Sequence, residues 1–117
     1  DRANSAVEAQ LPSVEAALEE VVASHDPQAR ISLVRACNGS SPAGASVRVA
    51  TERGDADRVA AELLEQAAAF GWEPRSGSTA PQPQLQRTFD GVAFDFQVYP
   101  WPNSVSIRSY SLEPETC

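Results

Sequence analysis

Apolar side chains recur along residues 5–24 at Val7, Leu11, Val14, Leu18 and Val21. Spacings of four, three, four and three residues describe one face of an α-helix. Ser5 with Glu8 fits a capping box at its start. Pro12 falls inside the pattern. It either kinks the helix or marks a new start around Leu11–Ser13, because proline is tolerated only in a first turn. The helix is expected to end near His25-Asp26-Pro27.

The period then changes. Residues 31–37 and 45–52 predict a β-hairpin joined by "NGSSPAG". In its second strand Val47 and Val49 face one way, Arg48 and Glu52 the other. In its first, Ile31, Leu33 and Cys37 share a face with Arg35. A second helix follows, with Asp55 as its N-cap and Asp57 near the positive end of the dipole. Val59, Leu63, Ala67 and Phe70 form its apolar stripe, and Gly71 suits the left-handed residue that ends it. The connection "GWEPRSGSTAPQPQ", 71–84, is long for a compact fold, and a short edge strand is expected within it at 72–75.

The last third predicts a three-stranded meander. "FDGV" at 89–92 suits a two-residue type I′ turn. Phe89 then opposes Val92, and Leu85 opposes Phe96. "PWPN" is expected to join 92–99 to 104–112, with Tyr99 opposite Ser104, Val98 meeting Val105 and Phe96 meeting Ile107. Both turns put Phe94, Phe96 and Val98 on one apolar face, an agreement that a one-residue slip would destroy. The same register sets Asp95 opposite Arg108 as an exposed ion pair worth under about 1 kcal/mol. The expected fold is α+β. It is a two-layer sandwich in the order α-β-β-α-(β)-β-β-β, a mostly antiparallel sheet of about five strands with two helices on one face. Residues 1–117 are expected to form a single domain.

Composition narrows the partners. The net charge is −7, and all nine basic residues are arginines scattered along the chain. An acidic surface repels phosphate backbones, so nucleic acid is not expected as a partner. The chain contains no methionine, including at position 1. It is therefore expected to be a processed form, with any signal peptide upstream.

The two cysteines, Cys37 and Cys117, allow three readings: a disulfide between them, buried free thiols in a cytosolic protein, or one that is catalytic or binds metal. A metal needs about four ligands, and two cysteines with the lone His25 fall short. A nucleophilic cysteine needs a nearby base, and the one histidine sits at a helix end beside Asp26-Pro27, where solvation explains it. A Cys37–Cys117 disulfide is the most economical account. It closes a loop of about 80 residues, worth roughly 4–5 kcal/mol in the chain-entropy model. It also implies an oxidising compartment, so an extracytoplasmic location is expected. To let Cys117 arrive beside Cys37, residues 71–84 are expected to run down the sheet and turn at "SGSTAP".

No P-loop, G-x-G-x-x-G, G-x-S-x-G or H-E-x-x-H is present, and no catalytic residue, cofactor or metal is assigned. "NGS" at 38–40 matches a glycosylation sequon that a turn explains equally. "VYPWPNS", 98–104, stands above background. Trp101 sits between two prolines with Tyr99 beside it, and both residue types are enriched at binding hot spots. Flanking prolines reduce the ordering cost of binding. Trp101 serves either recognition or as a lid folded back over a helix end. Trp72, next to Gly71, is expected in the core.

An Ala-rich helix, a Cys-bearing strand, a helix ending in "FGW", an "FDG" hairpin and a terminal Cys together resemble small extracytoplasmic domains of actinobacterial secreted proteins and lipoproteins of unknown function. The resemblance implies export and a membrane anchor upstream; it assigns no active site. The expected function is a non-catalytic binding or protein-interaction module of the cell envelope, its partner an envelope protein or small ligand. The alternatives are a small hydrolase using carboxylates and His25, or a structural domain of a larger envelope protein.

Overall fold

A computed structural model describes residues 2–36, 42–75 and 84–113. Cys37, Cys117, the "NGS" sequon and the "SGSTAP" turn lie outside the described residues. Within them the chain forms α1 (Arg2–Glu8), α2 (Leu11–Val22), β1 (Ser32–Val34), β2 (Gly44–Ala50), α3 (Ala56–Ala69), β3 (Glu73–Pro74), β4 (Leu85–Phe89), β5 (Val92–Trp101) and β6 (Ser104–Tyr110). The architecture is α+β. One antiparallel sheet of six strands, order β1-β2-β6-β5-β4-β3, packs its apolar face against α2 and α3. The sixth strand is the short edge strand β3, one more than the count of about five. No helix among the described residues is long and apolar enough to cross a membrane.

Pro12 decides the N-terminal geometry. It divides the first helix and sits in the first turn of α2, where its missing N–H breaks no helical bond. Val7, Leu11, Val14, Leu18 and Val21 are all buried along the resulting face. The expected capping box does not form. Ser5 is inside α1, its carbonyl accepting the Ala9 N–H, and Glu8 Oε2 instead accepts the Ala36 N–H at 3.3 Å. The long carboxylate thus ties α1 to the chain leaving β1.

α3 buries Val59, Leu63 and Ala67, but Phe70 is 38% exposed. The helix ends on Phe70, and Gly71 takes the left-handed φ of 99°. That turn carries the chain inward at Trp72, which is buried between Phe89 and Phe96 at centroid distances of 5.8 and 5.1 Å. A side chain at 71 would be strained there, whereas glycine adopts it freely. Trp72, Phe94, Phe96, Leu18, Leu63 and Ile107 form the centre of the core. Fully burying each such side chain is worth about 1.5–3 kcal/mol.

The Asp90-Gly91 turn gives the expected register, with Phe89 opposite Val92 and Leu85 opposite Phe96. The next turn is shorter than expected. Trp101 pairs with Ser104, so the loop is Pro102-Asn103 alone, and Val98 meets Ile107 rather than Val105. The register moves by two residues, which leaves every side chain on its expected face. Both loop carbonyls are used, by Thr51 N–H on Asn103 and Gly54 N–H on Pro102. Pro100 is tolerated within β5 because β4 pairs only with residues 92–96, leaving no ladder bond there for it to break.

Gly44 is fixed by crowding. It pairs with Tyr110, and a Cβ at this position would lie 2.1 Å from the Ser109 carbonyl oxygen and 2.8 Å from Tyr110 Cα. Backbone cannot yield as a side-chain tip can. Gly44→Ala is therefore expected to cost about 1–3 kcal/mol, read as a lowered thermal midpoint. Gly54→Ala is the comparison: its Cβ would meet nothing within 4 Å, although its φ of 93° adds strain. A Gly44→Ala midpoint equal to wild type would refute this account of the β2–β6 seam.

Candidate functional site

With both long helices on one side, alternation delivers the remaining side chains to an open face. The register arranges them in rows. Ser32, Ser46, Arg108 and Gln97 cross β1, β2, β6 and β5 in one row. Arg48, Ser106 and Tyr99 form the next, and Ala50, Ser104 and Trp101 the third. Both nominated residues, Tyr99 and Trp101, are thus on this face.

Trp101 is 46% exposed, so it is not a buried lid. Its Nε1 donates to Ser106 Oγ at 2.9 Å, which fixes the indole against the neighbouring strand. Beside it, Pro100, Pro102 and the start of α3 around Arg53, Gly54 and Asp57 border a hollow of about 410 Å³. Tyr99 is half-buried. Its hydroxyl donates to Gln97 Oε1, and the Arg108 guanidinium lies over its ring, 4.9 Å from the centroid. This stacking is a cation–π contact.

The Tyr99 hydrogen bond continues inward. Gln97 Nε2 donates to Asp95 Oδ2 at 2.6 Å. Asp95 Oδ1 accepts the Tyr110 N–H at 2.6 Å, and the Asp95 carbonyl accepts from Ser109 Oγ at 2.6 Å. Asp95 is therefore not the exposed partner of Arg108 that the sequence suggested. It is 5% exposed, Arg108 pairs with Gln97, and Arg108 stacks on Tyr99 instead. The physical reason is the two-residue shift of the β5–β6 register, which brings Tyr110 beside Asp95. Burial raises the Asp95 carboxyl above its ordinary range; the Tyr110 N–H, the Gln97 amide and the Arg75 charge pull the other way.

A second cluster lies between the helices. His25 Nε2 is 3.3 Å from Glu62 Oε2, and Arg58 Nη1 donates to Glu62 Oε1 at 2.7 Å. Ser24, Glu65 and Gln66 border the same hollow, of about 490 Å³. The histidine and a carboxylate meet, but Glu62 is shared with an arginine. Among the described residues no hydroxyl is hydrogen-bonded to His25, so no activated nucleophile is formed there. Asp55 and Asp57 were explained by capping. Asp55 does precede α3, but its carboxylate pairs with Arg58 at 3.4 Å rather than bonding a backbone N–H.

Sequence reasoning misplaced Asp95 and missed the cluster of arginines across the strands. The missing signal was register: Arg48 and Arg108 stand 60 residues apart in the chain and adjacent in the sheet. Comparison with protein-family models, with curated proteins and with solved structures finds no match to this chain.

The Asp95 geometry sets a pH dependence. A carboxyl raised in the folded state contributes stability that is complete below the unfolded value, about 3.9, and is lost as pH rises through the folded one. Asp95→Asn keeps an acceptor for Tyr110, and Gln97 can reverse its amide to accept the new N–H. Relative to this variant, wild type should lose stability as pH rises from about 4, with a slope no steeper than about 1.4 kcal/mol per pH unit. Thermal midpoints of both proteins between pH 3.5 and 7 test this. A difference that stayed constant over that range would contradict it.

Proposed function

We propose that this chain is a non-catalytic binding module of the cell envelope, and that it takes its ligand on the open face of the sheet at Trp101 and Tyr99. The observation that carries the reading is the half-exposed indole pinned by Ser106. Large exposed apolar side chains are ordinary singly. One immobilised by a hydrogen bond, on a rigid strand between two prolines, loses little entropy when it binds. Catalysis is the weaker reading, because the His25–Glu62 pair lacks a bound nucleophile among the described residues.

The extracytoplasmic half of the proposal, which makes the protein secreted or anchored at the outer side of the membrane, rests on a Cys37–Cys117 disulfide. Support comes from the strands that lead to the cysteines. Val34, Gly44 and Tyr110 stand side by side on β1, β2 and β6. The backbone at Val34 and at Tyr110 is thus about two strand spacings, roughly 10 Å, apart at one end of the sheet. Cys37 follows Val34 by three residues and Cys117 follows Tyr110 by seven. Seven residues can span up to about 23 Å.

Two measurements test the proposal. Co-sedimentation with purified actinobacterial cell wall should capture the protein, and Trp101→Ala should weaken capture at least tenfold with an unchanged melting curve. Capture that ignores the substitution would exclude the Trp101 tip as the site. Alkylation without reductant, followed by intact mass spectrometry, should label neither cysteine. Two labelled thiols would overturn both the bridge and the compartment.

A further inference from the structure

Three of the nine arginines gather on the open face. Arg30, Arg48 and Arg108 border one hollow of about 380 Å³ together with the hydroxyls of Ser32, Ser46 and Ser106. The sheet register builds it: on the paired strands β2 and β6, Ser46 faces Arg108 and Arg48 faces Ser106, a checkerboard of cation and hydroxyl. No carboxylate borders the hollow. Among the described residues none of the three forms an ion pair. Among the described residues, Arg48 Nε donates to neutral Ser106 Oγ at 3.4 Å, and Arg108 lies over the Tyr99 ring.

This is a peculiar arrangement for an acidic chain. The chain has 16 carboxylate residues, yet among the described residues none is paired with these three arginines. An anion seated among them would find donors already in place. Planar guanidinium groups match a carboxylate through two parallel N–H···O bonds. Ser106 also connects this hollow to the second feature of the face, since it accepts from both Arg48 and the Trp101 indole.

We infer that the open face binds a carboxylate-bearing glycan, with Arg48, Arg108 and Arg30 receiving the carboxylates and the Trp101 indole receiving a sugar ring. This deepens the binding-module reading and rests on it. The glycan assignment follows from the mixture of groups. A face with one fixed aromatic plane and several serine hydroxyls suits sugar rings, whose faces are apolar and whose edges are polar. The other large exposed apolar residues, Leu33 and Phe70, are not on this face, which leaves no apolar groove for a peptide. Arg48 lies one row and two strands from Trp101, about 12 Å, so the site spans more than one sugar.

The test is titration of the full chain with tetragalacturonate, followed by tryptophan fluorescence and calorimetry, with a neutral glucose tetramer and short poly-glutamate as the other arms. Binding of tetragalacturonate alone is expected, weakening as salt rises. Arg48→Gln and Arg108→Gln are each expected to reduce affinity about tenfold or more, a loss typical of one charge-assisted hydrogen bond. Both substitutions are at exposed positions, and an unchanged melting curve verifies the fold. Equal binding of the neutral tetramer, preferential binding of poly-glutamate, or indifference to both substitutions would each overturn the inference. If the acidic glycan fails but Trp101→Ala still abolishes cell-wall capture, the ligand class is wrong and the binding face stands. If capture ignores Trp101, Arg48 and Arg108 alike, the binding-face reading itself falls.

Discussion

The sheet depends on how Asp95 is accommodated in the seam between β5 and β6. β5 is the longest strand: residues 92–96 pair with β4 and residues 97–101 with β6, while Phe94 still bridges Ser111 just beyond β6. At the handover the carboxylate accepts the Tyr110 N–H, and the Asp95 carbonyl accepts from Ser109. A buried polar group left unpaired costs about 1–3 kcal/mol. Here both carboxylate oxygens are engaged, the second by Gln97. The side chain thus substitutes for part of the ladder and keeps the two halves of the sheet continuous.

That continuity assigns separate work to the two faces. On one side Phe94, Phe96 and Val98 meet α3, with Trp72 inserted between Phe89 and Phe96. This side stabilises the fold by burial, and among the described residues the buried Trp72 Nε1 has no hydrogen-bond partner. On the other side Gln97, Tyr99 and Trp101 form an ordered polar row with Arg108 stacked across it. The same ten-residue strand therefore both anchors the core and presents the candidate surface. A ligand on the open face would touch groups whose backbone is already immobilised from behind.

Much of this was legible in the sequence, for reasons that differ between elements. The first helix was readable because five apolar residues kept helical period across Pro12, which altered its continuity and not its face. The Asp-Gly turn fixed the β4–β5 register because that dipeptide has few alternatives. The Pro-Trp-Pro-Asn segment has no such restriction, and its length was settled by carbonyls accepting from the β2–α3 loop, a contact absent from local sequence. Asp95 was misread because alternation assigned it to the open face and exposure was assumed to follow. The face is right, but Tyr110 and Gln97 cover it. The arginines looked scattered because proximity across strands depends on register summed over two turns.

The sheet also ends abruptly on both sides. β1 contributes three residues at one edge and β3 two at the other, where Pro74 has no N–H to offer. Long unpaired edges are templates for strand addition, and short or proline-bearing ones are poor templates. These two edge strands themselves thus offer little backbone on which another chain could continue the sheet. A partner that met the sheet at these strands would read side chains rather than ladder groups, a contact open to tuning by single substitutions in a way that strand exchange is not.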